Sequence, residues 1–202
     1  MTDWVDAAKN LSLNELGDAI THISLHTAYP GTTGTSEVAG GSPAYSREGV
    51  TWDVAASGSK ASSGALDFDV PAGTTVAWAG LWTAATGGTF LGSSPLGPVG
   101  DPKIATIDVD DVFTAPGHTF TNGQTIVIGK TLGALPTGTG LSDGAVVFVR
   151  DVSGDTFKVA VTSGGGAINV TASGVAMVRA ITTEIFGGQG TYTITTLTLN
   201  LA

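Results

Sequence analysis

The chain is defined first by what it has little of: it contains no cysteine and few charged residues. Without cysteine, disulfide bonds, thiolate metal ligands and cysteine nucleophiles are all excluded. Charged residues make up 12% of the chain, about half of the roughly 25% usual for globular proteins. Only eight are Lys or Arg, and the formal net charge is -9. Because phosphate backbones are bound by clustered basic groups, nucleic acids and anionic membranes are not expected partners.

Long apolar runs are also missing. No segment approaches the ~20 apolar residues of a membrane-spanning helix. The start of the chain, residues 1–4, lacks the basic region and the apolar region of a signal peptide. We therefore expect a protein that is made in the cytoplasm and does not insert into a membrane.

What the chain has in excess is glycine, with 30 residues, together with Thr, Ser, Ala and Val. β-Branched residues suit pleated strands and glycines suit tight turns, so the composition predicts a mostly β chain. One helix is expected near the start, because Ser12 and Glu15 form a capping-box pattern. Helical spacing of apolar residues continues from Leu13 through Leu16 to Ile20.

Period-two alternation follows. In 21–27, Ile23 and Leu25 fall on one face and His22, Ser24 and His26 on the other. The run 76–81 is almost continuously apolar, which is typical of a single strand covered on both faces. Gly87-Gly88 is a hairpin candidate ahead of 89–91.

The last residues, 191–201, read as a strand that has no partner in the residues just before it. A proline-dense joint, meaning a short stretch at 95–102 that breaks strands, precedes a segment with a different sequence pattern. Strand candidates there are 104–109, 125–128, 145–150, 156–161 and 168–171, with turn signals at Asn122-Gly123 and 153–155. We predict a domain formed by 1–102 with 183–202 and interrupted by a small β domain at 103–182. Alternation puts Tyr192 and Ile194 on the inward face before Thr195-Thr196, and Leu197, Leu199 and Leu201 on it afterwards, so a bulge is expected at this step.

No motif for catalysis or metal binding stands out. On a strand, His22 and His26 would lie roughly 13 Å apart, too far for one ion, and His118 falls in a loop. Asp108, Asp110 and Asp111 are interpreted as a solvated strand edge, as are the exposed-face acids at 67 and 69. We expect no enzyme activity, no catalytic residues, no cofactor and no metal.

The tryptophans are the remaining candidates for a site. Trp78 and Trp82 fall in or beside predicted strands, where each side chain would hide a large apolar area. Core or subunit interface is the favoured interpretation, and stacking on a sugar ring is the alternative. Both residues are retained as candidate glycan or interface contacts.

Several segments resemble a family of small virion proteins of tailed bacteriophages, the tail fibre or minor tail proteins. The resemblance covers 12–97 and 184–201, and its most specific strings are 21–34, 37–47, 68–76, 80–90 and 188–194. The middle block resembles a β module carried on phage fibre and surface proteins, through 117–124, 140–144, 155–159 and 163–165. This module usually has a Tyr-rich strand, where the present chain has Val146-Val147-Phe148.

The resemblance implies a non-enzymatic virion component. The outer domain would be a β-sandwich with a short N-terminal helix, anchored to the particle or to sister copies, and the inserted domain would project outward. Partners would be other virion proteins and sister copies, with a trimer as one candidate assembly. Two alternatives stay open: a capsid decoration protein, and a module that binds host glycans.

Overall fold

The computed structural model describes residues 4–96, 100–131 and 133–201. The chain divides into two compact units, Met1–Ser94 with Glu184–Ala202, and Pro95–Thr183, here called unit 1 and unit 2. The central residues of the proline-dense joint, 97–99, lie outside the described residues. That 103–182 is an inserted domain able to leave the rest folded stays a prediction.

The predicted fold class, a mostly β chain of β-sandwich type with one short N-terminal helix, is confirmed, with 42% strand and 7% helix. Unit 1 contains a four-stranded sheet of order β2-β1-β6-β7 and three two-stranded ladders, β3 with β18, β4 with β17 and β5 with β16. Its elements are α1 (Asp6–Ala19), β1 (His22–His26), β2 (Glu48–Gly49), β3 (Ser59–Ala61), β4 (Leu66–Val70), β5 (Thr74–Val76), β6 (Trp78–Trp82), β7 (Phe90–Pro95), β16 (Glu184–Phe186), β17 (Gly190–Ile194) and β18 (Thr198–Asn200).

The helix begins earlier than predicted. It starts at Asp6, whose carboxylate lies in the first turn and complements the helix dipole. Val5 occupies the N-cap position and makes no side-chain cap. The capping box predicted at Ser12 is wrong, because the Ser12 hydroxyl lies inside the helix and donates to the carbonyl of Ala8, 3.1 Å away. Favourable helix formers before Ser12 extend the helix beyond that signal.

A buried lysine holds the helix against the rest of unit 1. The stem of Lys60 crosses Gly17, where an added Cβ would lie 2.2 Å from Cε of Lys60. The Lys60 ammonium donates to Oδ1 of Asn14 at 2.9 Å and to the carbonyl of Asp53 at 2.8 Å. Only 4% of Lys60 is exposed. A buried charge with two short acceptors fixes helix and strand in one register.

The apolar run 76–81 is covered on both faces, as predicted, but it is not one strand. Residues 76–80 are all buried, whereas the strand breaks at Ala77. β5 pairs with β16, and β6 pairs antiparallel with β1. The chain changes partner between the two strands, and the Ala77 amide donates to the carbonyl of His26. A continuous apolar run indicates that a segment is buried, but it does not indicate the residue at which the segment changes its pairing strand.

The terminal segment pairs within unit 1, as predicted. β17 pairs antiparallel with β4, in the register Tyr192 opposite Phe68, and β18 pairs antiparallel with β3. The ladder is interrupted at 195–197. The last buried position before the interruption is Ile194, and the next is Leu197, so the inward-facing positions change from even-numbered to odd-numbered residues. The predicted bulge is thus a full break in the ladder, because the strand exchanges β4 for β3 at this point.

Unit 2 is a small closed barrel of order β10-β12-β13-β9-β8-β15, with a separate ladder of β11 and β14. Inward side chains from its strands form one core, with Phe113 and Phe157 in contact at 5.3 Å between ring centroids. Its strands are β8 (Lys103–Ile107), β9 (Phe113–Thr114), β10 (Thr125–Lys130), β11 (Thr137–Gly138), β12 (Val146–Ser153), β13 (Thr156–Ala160), β14 (Val170–Ala172) and β15 (Gly174–Ala180).

Two features of the barrel differ from the sequence prediction. β15 was not predicted, although it closes the barrel between β10 and β8 and buries Ala176 and Val178 completely. Apolar residues occupy both its buried positions, Ala176 and Val178, and the less buried ones, Val175 and Met177, so no period-two alternation marks this segment as a strand. The Asn122-Gly123 turn exists, with a φ of 85° at Gly123, but it does not join paired strands. β9 and β10, on either side of it, are not neighbours in the barrel.

Candidate functional site

The best-defined polar constellation in unit 1 is a chain of hydrogen bonds through Trp82, Ser24 and His26. The Trp82 indole N–H donates to the Ser24 hydroxyl oxygen at 2.8 Å. The same oxygen lies 2.6 Å from Nε2 of His26, and Nδ1 of His26 lies 2.8 Å from the carbonyl oxygen of Thr35. Phe90 packs against both rings, with its centroid 5.0 Å from that of Trp82 and 6.1 Å from that of His26.

The hydrogen bonds through Trp82, Ser24 and His26 all run in a defined direction from donor to acceptor. A carbonyl oxygen only accepts, so Nδ1 of His26 carries a proton and donates to Thr35. With the imidazole neutral, Nε2 accepts, and the Ser24 hydroxyl donates to it while accepting from Trp82. Ser24 and His26 are both fully buried. Burial lowers the pKa of His26, opposed by the bond to Thr35 and by Glu37, and supported by Arg47. The neutral imidazole is therefore the form that this site holds.

Gly80 makes the close approach of these groups sterically feasible. It lies directly opposite Ser24 in the β1–β6 pairing. A Cβ at residue 80 would lie 2.4 Å from Nε2 of His26 and 2.4 Å from the Ser24 hydroxyl. These distances are far inside van der Waals contact, so any larger residue must displace the network.

A second constellation, the Arg47 clamp, covers the other face of Trp82. The Arg47 guanidinium carbon lies 3.4 Å from the centre of the indole ring. Nε and Nη2 donate to the two carboxylate oxygens of Glu37, each at 2.8 Å. Nη1 donates to the carbonyls of Ala84 and Gly87 in the β6–β7 connection. A bidentate ion pair stacked on an aromatic face requires the planar fork of arginine.

The burial of Ser24 and His26 decides which chemistry these side chains can perform. A serine hydroxyl bonded to a histidine is the geometry of an activated nucleophile, but neither side chain has any exposed surface through which a substrate could reach it. The network instead ties β1 and Trp82 to Thr35, and the Arg47 clamp ties Trp82 to the 84–87 connection. Their chemistry is structural, because together they fix two loops on one face of the sheet.

The predicted candidates Trp78 and Trp82 both lie in β6 and are buried, with 5% and 7% of their surface exposed. Trp78 packs on Tyr29, with ring centroids 5.1 Å apart, and its indole nitrogen is buried with no partner among the described residues. This burial favours a role in packing. A glycan or subunit contact of either residue stays a prediction, and it would require the rings to become uncovered.

Sequence reasoning missed the network although it placed His22, Ser24 and His26 on one strand face. The alternation only separates this face from Ile23 and Leu25, and it does not indicate that Ser24 and His26 bond to each other or that Ser24 meets the indole of Trp82. The missing information is the register that sets Ser24 opposite Gly80, which no local pattern carries.

The remaining polar candidates are dispersed. Asp108 and Asp110 are exposed in the turn between β8 and β9, and Oδ1 of Asp111 accepts from the backbone of Val170 at 2.7 Å. The predicted strand edge is thus a turn. Asp67 lies on the outer face of β4 and accepts from Thr193 at 2.6 Å. Within the described ranges, no three His, Asp or Glu residues lie close enough together to hold a metal ion.

Other parts of the described chain add two observations. None of the described helices has the length and apolarity needed to cross a bilayer. On the outer face of the barrel, Asn122, Phe148, Arg150 and Asp151 line an open groove of about 370 Å³ that the sequence did not indicate.

Comparison with known proteins gives one family and no curated relative. No curated protein matches the chain significantly. The family described as Podophage GP4 fiber I protein gp80, a phage tail fibre family, matches residues 19–127. The match begins at the end of α1, contains the network and the clamp, and continues into β10. It extends beyond residue 97, where the first of the two stretches of the sequence resemblance ended, and it does not include the second stretch, 184–201. Because it spans more than half of the 202 residues, the chain belongs to the family of the podophage fibre protein gp80.

Proposed function

We propose that this chain is a non-enzymatic structural component of a tailed-phage virion, of the tail fibre or minor tail type. The family match over 19–127 is the observation that carries the proposal. In this proposal unit 1 anchors the chain to the particle and the barrel of unit 2 projects from it. The protein is made in the host cytoplasm and resides in the virion.

The chemistry of unit 1 supports a structural role. Its buried polar groups, the Trp82–Ser24–His26 network and the Arg47 clamp, are directed at one another and at backbone carbonyls. Satisfied buried networks of this kind rigidify a fold and specify one arrangement of its loops. A rigid unit suits a part that must hold its position in an assembly.

Exposed apolar side chains support association with other virion proteins or with sister copies. Trp4 is 57% exposed, Leu11 65% and Val54 81%. These side chains belong to unit 1, in or beside α1 and in the loop before β3. Association of sister copies into a trimer or another ring would cover such surface and stabilise small β domains by mass action.

The test is to look for the chain in purified particles. Quantitative mass spectrometry of particles should detect it at a few copies per virion, and particles from which its gene is deleted should lack density at the tail. Absence of the chain from intact particles would refute the proposal. A count of tens to hundreds of copies would instead assign it to the capsid as a decoration protein.

A further inference from the structure

The groove on unit 2 is formed where two loops flank the outer face of the barrel. Val147 and Val149 of β12 point into the core, so Phe148 and Arg150 point outward. Phe148 is half-buried and lies opposite the small Ala160 of β13. The Gly123 turn and the Gly164 loop border this floor without side chains of their own. The volume of about 370 Å³ lies within the range of ligand sites, roughly 300 to 1,000 Å³.

Polar groups at the end of the groove are held in fixed orientations. Nε of Arg150 donates to Oδ2 of Asp151 at 3.0 Å, and Nη1 donates to the carbonyl of Gly165. Oδ1 of Asn122 accepts from the amide of Val152 at 3.0 Å, which orients its NH₂ group. Among the described residues, Nη2 of Arg150 and Nδ2 of Asn122 donate no hydrogen bond, so both retain donors for a ligand.

Asp151 adopts a strained backbone conformation at this position. Its φ is 50°, in the left-handed region that non-glycine residues rarely occupy. The bulge between Arg150 and Ser153 places its carboxylate at the rim, where it is exposed and pairs with Arg150. Glycine would fit this backbone more easily, so the fold itself does not require an aspartate here.

This combination of groups matches a sugar ring. The C–H face of a pyranose packs on an aromatic ring, and adjacent hydroxyls pair with planar carboxylate, amide and guanidinium groups. The Arg150 charge is balanced by Asp151, and the chain carries a net charge of -9, so an anionic saccharide gains little there. The chemistry favours a neutral saccharide.

We propose that the groove formed by Asn122, Phe148, Arg150 and Asp151 binds a neutral hexose unit of a glycan. It contains neither of the tryptophans that the sequence suggested. Its biological meaning, attachment to a cell surface, rests on the proposed virion role, but saccharide binding itself does not. Binding is measured on the purified chain and virion location on particles, so the two proposals fail separately.

The experiment is a titration of the ¹⁵N-labelled full chain, followed by amide chemical shifts, with four neutral probes: lactose, maltotriose, cellotriose and mannotriose. We expect at least one probe to give saturable shifts at Gly123, Phe148 and Gly164 at millimolar concentration. Trigalacturonic acid is the anionic comparison and should bind more weakly. Overturning results are no saturable shift with any neutral probe at tens of millimolar, shifts confined to other residues, or preferential binding of the anionic probe.

Three variants separate binding from folding. Asp151→Gly removes the carboxylate and relieves the strained backbone, so affinity should fall about tenfold or more while the melting temperature is kept or raised. Phe148→Leu keeps an apolar floor but removes the aromatic face, with a similar loss expected. Ile104→Thr, at a position 58% exposed on β8, is the matched control and should bind as the wild type does. Unchanged affinity in both groove variants overturns the proposal.

Discussion

Replacement of Gly80 by alanine is the sharpest perturbation of unit 1. Alanine suits a strand interior better than glycine does, and the backbone of Gly80 is not in the left-handed region. The only difference is one methyl group, placed 2.4 Å from both Nε2 of His26 and the Ser24 hydroxyl. Neither atom can retreat easily, because Ser24 also accepts from Trp82 and His26 also donates to Thr35.

The expected cost follows from two contributions. Overpacking of a well-packed core costs about 1 to 3 kcal/mol. Displacing the Ser24–His26 hydrogen bond leaves a fully buried polar group unsatisfied, at about 1 to 3 kcal/mol more. Together the two contributions come to about 2 to 6 kcal/mol. With about 3 kcal/mol, from the lower part of this range, and about 4 °C per kcal/mol, we expect the unit 1 transition to melt about 12 °C lower.

Differential scanning calorimetry of the full chain, read together with near-ultraviolet circular dichroism of the tryptophans, measures this shift. The matched control is Gly64→Ala, because a Cβ at Gly64 meets nothing within 4 Å. That substitution should be neutral or stabilising by about 0.4 to 1 kcal/mol. A Ser24→Ala, Gly80→Ala double mutant should lose less stability than the sum of its parts, because one of the two clashes is gone.

The reasoning is refuted if Gly80→Ala melts within about 2 °C of the wild type, which would correspond to less than about 1 kcal/mol. It is also refuted if Gly64→Ala shows an equal loss, since the cost would then come from replacing any glycine and not from contact with His26.

Three further predictions concern titration, the clamp and the domain boundary. Burial lowers the pKa of His26 in the folded chain below 6.5, so the unfolded chain takes up the proton at a higher pH than the folded chain does. The stability that His26 contributes is therefore complete above pH 6.5 and is lost as the pH falls through the lower folded pKa. The urea midpoint should fall with pH over this range, and His26→Gln should remove this pH dependence whereas His22→Ala should keep it. Arg47→Lys should destabilise by about 1.5 to 3 kcal/mol in urea unfolding, because lysine cannot make the bidentate bond to Glu37, and a loss no greater than that of Arg150→Lys would contradict the clamp. Deleting 103–182 behind a short linker should leave a folded protein with native tryptophan circular dichroism, and an unfolded product would contradict the inserted-domain prediction.

Much of the fold follows from local pattern. The return of the final segment to unit 1 was predictable because it alternates clearly and has no neighbouring partner, and its phase change marks the break at 195–197. The Gly87-Gly88 connection between β6 and β7 was predictable from the Gly-Gly turn signal, and both glycines do have a positive φ. The helix start and β15 were not, because Ser12 mimics a cap inside a helix and β15 lacks the apolar/polar alternation that marks a strand.

The sites could not be predicted in the same way. The tryptophans were identified as large apolar groups, but the partner that each indole meets depends on long-range register. The groove in unit 2 brings Asn122, in the turn before β10, together with Phe148 and Arg150, which lie on β12 and are distant from it in sequence. Nothing in the sequence around Phe148 distinguishes an outward aromatic residue from a core one.

Several features follow from the amino-acid sequence alone: a mostly β chain with few basic groups, no thiol chemistry and a final strand that must pair far upstream. These depend on residue type and on periodicity, which are local properties. Three other features follow from the folded arrangement and not from local sequence: Gly80 admits the Ser24–His26 bond, Arg47 lies on Trp82, and Phe148 faces a groove. Each of these depends on which strands become neighbours and in what register, and that is settled by the packing of the whole chain.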